Sequence, residues 1–281
     1  YRYSSYQKIV NQTISLAQAK VNTEVESIQQ NIFEIEKIAS MIAQDLHAGT
    51  LKKQDIPIRI LRDLKEVPDL ENISIAFAPF TYDPQKRLAG FEAKKREGTA
   101  QTNAIEYDYM VKGESPLVDS DWYNRTIKSG PGWSETRYTE DEQTKAVYSV
   151  PFYLIGTAEP AGVIAITYNL GRVIDSIKNI EIGKMGYGTL IAADGSLIYH
   201  PLDQYVKERL TLADLARESN NQDLNELAQS MLKNDAGTAT YTDHIKIDYW
   251  TVYKKIPRVG WNVVATFTSE SLPLPLAKLR K

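Results

Sequence analysis

Between Tyr107 and Tyr168 lie Tyr109, Trp122, Tyr123, Trp133, Tyr138, Tyr148, Phe152 and Tyr153, an enrichment well above the 10% aromatic content of the chain. Tyr and Trp present a large apolar face with one polar tip. That combination suits a pocket that grips a small polar molecule, or cages its ammonium by cation–π contact; packing in a core is the other use for the same rings. Strand alternation limits the set: Tyr148, Val150 and Phe152 share one face and Ser149 takes the other, so at most half of that strand can face a ligand. Arg137 is the charged group beside Trp133 and Tyr138. It suits a bidentate grip on a carboxylate, with an exposed, solvated arginine as the alternative.

Signatures of catalysis are missing. The sequence has no G-x-S-x-G, P-loop, Rossmann glycine pattern or H-E-x-x-H. His47, His200 and His244 stand far apart, none with a neighbour at ligand spacing, which leaves no nucleophile–base–acid set and no metal or cofactor to expect. Asp119 and Asp121 precede a predicted helix, where capping explains them better than cation binding, with Asp119 or Ser120 at the helix start. Cysteine is absent, which excludes disulfides and thiolate chemistry. Glycosylation triplets at Asn11, Asn72 and Asn124 are read as chance matches, since Asn72 falls in a predicted buried strand.

The elements that must position these residues begin with a helix. Ile14, Val21, Ile28, Ile35 and Ile42 fall seven apart, and Val25, Ile32, Ala39 and Leu46 form a second row four residues on. This is one apolar stripe on a helix from Tyr6 to His47, on the order of 60 Å long, whereas a sphere of this chain length has a radius of gyration of about 19 Å. Such a helix is a dimer seam, a spine for more than one domain, or both. The formal charge of -3 offers no basic field for nucleic acid. No 18-residue apolar run occurs, and the chain opens at Tyr1 already inside a helix, so it reads as an excised fragment.

After the spine, Ile56 to Val67 reads as a short helix and Ile73 to Phe80 as a buried strand. Gln85 to Thr102 reads as a hairpin or loop, and Asp119 to Lys128 as a helix ended by Gly130-Pro131-Gly132. Lys145 to Leu154 and Gly162 to Asn169 are paired strands, and residues 171 to 182 a linking helix. The second unit has strands at Gly186 to Ile191 and Ser196 to His200 around an Asp194-Gly195 turn. Two short helices follow, near Thr211 to Ser219 and Asn221 to Lys233, then strands at Gly237 to Thr242, Asp248 to Lys254 and Trp261 to Thr268. AVYSVPFYLIGTAEPAGVIAITYN corresponds weakly to DYWTVYKKIPRVGWNVVATFTSE, which implies two copies of one antiparallel sheet domain leaning on the spine. The predicted fold is α+β, a long N-terminal helix with two PAS-like antiparallel-sheet domains in tandem. Its expected divisions are 1–48 for the spine, 49–172 and 173–268 for the two domains, and 269–281 for a linker.

The long helix, then DWYNRTIKSGPGWSETRYTEDEQTKAVYSVPFY, AGVIAITYNLGRVI, IGKMGYGTLIAADGSLIYHP and GWNVVATFTSESL in that order, resemble the double Cache (tandem PAS-like, PDC) sensor domains of prokaryotic transmembrane receptors. The resemblance implies an extracytoplasmic, periplasmic or extracellular, ligand-binding region of a membrane-anchored chemoreceptor or histidine kinase. Any enzymatic output module is then separate. It also implies a ligand in the membrane-distal domain 49–172, near Trp122, Tyr123, Trp133, Arg137, Tyr138, Tyr148, Ser149 and Thr167, with 173–268 membrane-proximal and 269–281 leading to a second membrane helix. The amino-acid-binding subgroup has an Arg two residues before the Trp and an Asp on the last strand of the distal sheet. Those places correspond here to Ser120 and Thr167, so a small organic acid or a methylated amine is expected before a standard amino acid. A homodimer through the long helix is a further expectation. The alternative function is an ectodomain without a small ligand that senses a partner protein or acts as a spacer.

Overall fold

The computed structural model describes residues 2–272, and side chains from Ser4 onward. Helix α1 (Arg2–Ala48) follows from the apolar stripe. Val21, Val25, Ile28, Ile32, Ile35, Ala39, Ile42 and Leu46 are all buried, Val10 and Ala17 extend the row, and Ile14 is half-buried. No residue from 2 to 48 is Gly or Pro, so nothing interrupts the backbone ladder until Gly49 at φ +73. The chain forms two compact units. Unit 2 comprises residues 32–171; unit 1 comprises residues up to 31 and from 172 on. The linker expected over 269–281 lies, from residue 273, outside the described residues.

Unit 2 is built on an antiparallel sheet of β1 (Leu70–Phe77), β2 (Gly90–Arg96), β3 (Thr99–Ala104), β4 (Gly132–Trp133), β5 (Arg137–Tyr138), β6 (Thr144–Phe152) and β7 (Gly162–Asn169). The spatial order is β3-β2-β1-β7-β6-β4, with β5 also on β6. Helices α2 (Ile56–Glu66) and α3 (Trp122–Ser129) complete it. Strand alternation gives the sheet two different faces. One carries Ile73, Ile75, Phe77, Ile164, Ile166, Tyr168, Ala146, Tyr148 and Val150, all buried. The other carries Asn72, Ser74, Glu92, Ser149 and Thr167 beside Ala76, Val147, Val163 and Ala165. Five polar side chains buried on one sheet face need partners, and their positions mark where a site can be built.

Two expectations shift. The strand predicted for Ile73 to Phe80 runs instead over Leu70–Phe77, because Pro79 has no N–H to donate and Phe80 turns to φ +61. The helix predicted from Asp119 begins at Trp122, and neither Asp119 nor Ser120 caps it: Asp119 accepts from Arg125 Nε at 2.7 Å and from the Asp121 N–H at 3.1 Å. The Asp119 carboxylate is thus engaged by the Arg125 side chain and the Asp121 N–H, and caps no N–H of the helix itself.

Unit 1 holds a five-stranded antiparallel sheet of β8 (Tyr187–Ile191), β9 (Leu197–Tyr199), β10 (Ala236–Thr242), β11 (Asp248–Ile256) and β12 (Trp261–Thr268), in the order β10-β11-β12-β8-β9. Helices α4 (Gly171–Lys178), α5 (Asp203–Lys207), α6 (Leu212–Glu218) and α7 (Gln222–Lys233) accompany it. Thr211 and Asp214 close a capping box on α6, and Leu224, Leu227 and Met231 of α7 pack with Ile191, Tyr253 and Val264. The two repeated sequence pieces are the β6–β7 and β11–β12 hairpins, so the internal similarity reflects one hairpin used twice.

Unit 1 carries an acid-sensitive group. His200 Nδ1 accepts from the Leu202 N–H at 3.0 Å, its ring packs 5.0 Å from Tyr205, and burial lowers its pKa from 6.5 to about 4. The folded state thus refuses a proton that the unfolded chain accepts. The contribution is whole above pH 6.5 and is lost as pH falls through about 4. Thermal melts from pH 7 to pH 4 are expected to show a shallower loss in His200→Gln than in the parent; parallel curves would overturn the assignment.

Candidate ligand site

On the polar side of the unit 2 sheet lies a cavity of about 670 Å3. Its floor is set by sheet register: Lys94 pairs with Asn72, and Asn72 with Thr167, so three neighbouring strands deliver one polar row. Glu71, Glu92 and Lys145 flank this row, Arg137, Tyr138, Thr139 and Asp141 form one wall, and Pro116, Leu117 and Val118 another. A smaller cavity of about 470 Å3 shares Glu92, Lys94, Arg96 and Pro116 and adds Tyr107. The volume suits a small metabolite.

Most of the charge is internally balanced. Buried Glu92 accepts from Lys94 at 2.6 Å, and Asn72 accepts from Ser74 at 2.6 Å. Lys145 bridges Glu71 and Asp141, each at 2.9 Å. Burial pulls the pKa of Lys145 down, but its two acidic partners outweigh that and the net shift is upward, so it stays a cation. Two groups are left over. The Thr167 hydroxyl is buried without a hydrogen-bond partner, and among the described residues the Arg137 guanidinium, exposed at the cavity wall, has none either. The Tyr107 hydroxyl is likewise buried and unpartnered, and burial raises its pKa.

Of the eight residues expected near a ligand, the cavity brings together Arg137, Tyr138 and Thr167. Trp122 and Tyr123 stand in the adjoining core, packed on Tyr109 at ring distances of 6.3 and 4.9 Å, with Trp122 Nε1 donating to Ser115 at 3.1 Å. Rings this close to one another leave no open cage for an ammonium. Ser149 is buried against α3, bonded to Arg125 at 2.8 Å and Thr126 at 2.6 Å. Trp133 and Tyr148 are on the opposite, apolar face, 5.2 Å apart. Asn72, Glu92, Lys94 and Lys145 escaped the sequence reading. The signal was present as polar residues alternating with Ile73, Ile75 and Ala93, but apolar neighbours on the other face masked it.

The family described as Cache domain (dCache_1) matches residues 4–275. Among curated proteins, methyl-accepting chemotaxis protein PctB of Pseudomonas aeruginosa is 30% identical over 91 residues, 31% of this chain and 14% of that receptor. The chain thus spans a small part of that relative. Among solved structures, the extracellular domain of the putative histidine kinase mmHK1S-Z2 superposes with a TM-score of 0.73 at 17% identity, covering 94% of this chain and 98% of that one. The periplasmic sensory domain of the Campylobacter jejuni chemoreceptor Tlp1 gives 0.68 at 14% identity, covering 94% and 97%. The ligand-binding domain of Campylobacter jejuni Tlp3 in complex with L-valine gives 0.61 at 9% identity, covering 94% and 96%.

Proposed function

The chain belongs to the Cache domain family and is a sensor module rather than an enzyme, and from that premise we propose that unit 2 binds a small carboxylate-bearing metabolite outside the cytoplasm. Thr167 carries the reading: a buried hydroxyl without a partner lines a cavity that also presents Arg137 and Lys94. A ligand carboxylate accepts from all three and repays the cost of burying the hydroxyl. The Tlp3 domain is solved in complex with L-valine, but the resemblance puts Ser120 and Thr167 where the amino-acid-binding subgroup carries an Arg and an Asp, and Trp122, Tyr123 and Tyr109 are packed on one another. An organic acid therefore fits better than an amino acid or a methylated amine.

Occupancy can signal only through a difference in affinity between two arrangements of the unit 2 sheet against α1. Unit 2 is then the membrane-distal ligand-binding domain and α1 the outgoing element, in a receptor anchored by segments flanking this chain and paired through the outer face of α1.

A thermal-shift and calorimetry screen of mono- and dicarboxylates, amino acids and methylated amines tests the reading. Thr167→Val is expected to raise the melting temperature of the free protein, by removing a buried unpaired hydroxyl, while weakening the selected ligand about tenfold. Arg137→Ala is expected to weaken it by about tenfold or more with the melting temperature unchanged. A ligand bound equally by the parent and both variants would rule out this cavity. No hit across the screen would favour a partner protein as the stimulus.

A further inference from the structure

Residues 132–138 run along the edge of the unit 2 sheet and place side chains on both of its faces. Gly132 and Trp133 pair with Ser149 and Tyr148. Arg137 and Tyr138 pair with Lys145 and Thr144. Cross-strand partners share a face, so Trp133 stands with Tyr148 on the apolar side, its ring also 6.1 Å from Tyr168. Four residues on, Arg137 stands with Lys145 on the cavity side. The intervening segment is not slack. Ser134 N–H donates to the Val147 carbonyl at 2.7 Å, and the Val147 N–H donates back to Ser134 Oγ at 2.9 Å.

On the apolar side, Trp133 Nε1 donates to Glu36 Oε1 of α1 at 3.0 Å. Apart from the Asp45–Arg59 ion pair to α2 near its C-terminal end, α1 meets unit 2 through buried residues that are aliphatic or small: Ile32, Ile35, Ala39, Ile42 and Leu46. Apolar contact is non-directional and lets a helix slide at little cost, whereas a hydrogen bond to a carboxylate fixes distance and angle. The Trp133–Glu36 bond therefore ties a defined point of α1 to the strip of backbone that carries Arg137.

We propose that Trp133 and Glu36 form the relay through which occupancy of the cavity is passed to α1. This rests on the cavity being the ligand site. A ligand that draws Arg137 inward moves β5 and the β6 edge, Trp133 moves with them, and Glu36 follows. Coupling is reciprocal, so the relay also works in reverse: a change at Glu36 must reach the cavity strands.

That reverse direction needs no ligand. Amide hydrogen exchange is measured on the whole chain for the parent, Glu36→Ala, Trp133→Phe, the double variant, and Lys37→Ala as a neighbouring control. Glu36→Ala keeps a good helix former, and Trp133→Phe keeps an aromatic ring and most of the volume while removing the N–H donor. The expected result is exchange about tenfold faster at 137–138 and 144–149 in Glu36→Ala, the factor for one charge-assisted hydrogen bond. Trp133→Phe gives the same pattern, the double variant adds nothing, and Lys37→Ala leaves it unchanged. Exchange altered only within α1, or additive effects in the double variant, would overturn the relay. Because the readout is ligand-free, that failure leaves the cavity to be judged separately by the binding screen.

Discussion

Replacing Trp122 by alanine is expected to destabilise unit 2 by about 4 kcal/mol, a fall in its melting temperature on the order of 10 °C, and to abolish any ligand response as a result. Trp122 is fully buried, packs on Tyr109, Tyr123, Val147 and Ala165, and donates its indole N–H to Ser115. Truncation removes that packing, leaves a cavity between α3 and the sheet, and costs the Ser115 hydroxyl one of its two donors, the Leu117 N–H at 3.2 Å remaining. Trp122→Phe restores most of the volume but not the donor, and is expected to cost about 1 to 2 kcal/mol. Thermal unfolding followed by circular dichroism separates the two. An alanine variant that melts with the parent would make Trp122 a ligand-facing group instead of a core one.

Gly162→Ala is expected to be nearly as damaging, by about 3 kcal/mol. Gly162 opens β7, where it faces Phe77 on one side and Phe152 on the other. A methyl group there would sit 2.2 Å from the Ala76 carbonyl oxygen and 2.6 Å from two carbons of the Phe152 ring. The obstacle on the first side is backbone in a central strand, so relief requires β1 and β7 to separate where Phe77 and Phe152 meet edge-on at 5.2 Å. Loss of cooperative unfolding of unit 2 in a denaturant titration is the expected readout; a midpoint within error of the parent would mean that the strands part more easily than their register implies. By contrast, Gly98→Ala, at the exposed β2–β3 turn with open space around it, carries only the strain of its φ of +78.

Long-period features were legible in the sequence. The stripe in α1 was readable because its seven-residue spacing persists through Leu46, and the β6–β7 and β11–β12 hairpins because each pairs residues close in the chain. β4 and β5 were not, since two residues have no period and their pairing with β6 is set by tertiary contact. The same blind spot touched the candidate site. Trp133 faces Tyr148 and Glu36 only through a register that no local pattern encodes, and Asn72, seen in the sequence as a chance glycosylation triplet, proves to be one of the row of polar residues flooring the cavity.

The two-faced sheet of unit 2 has a consequence for how such a domain changes over generations. Asn72, Lys94 and Thr167 line the cavity, while Ile73, Ala93 and Ile166, each the immediate chain neighbour of one of them, hold the opposite face. Point substitutions at the first set change what the cavity presents, while the second set keeps the apolar face of the sheet intact. On the proposed reading, the chemistry offered to a ligand can then change one residue at a time on one scaffold.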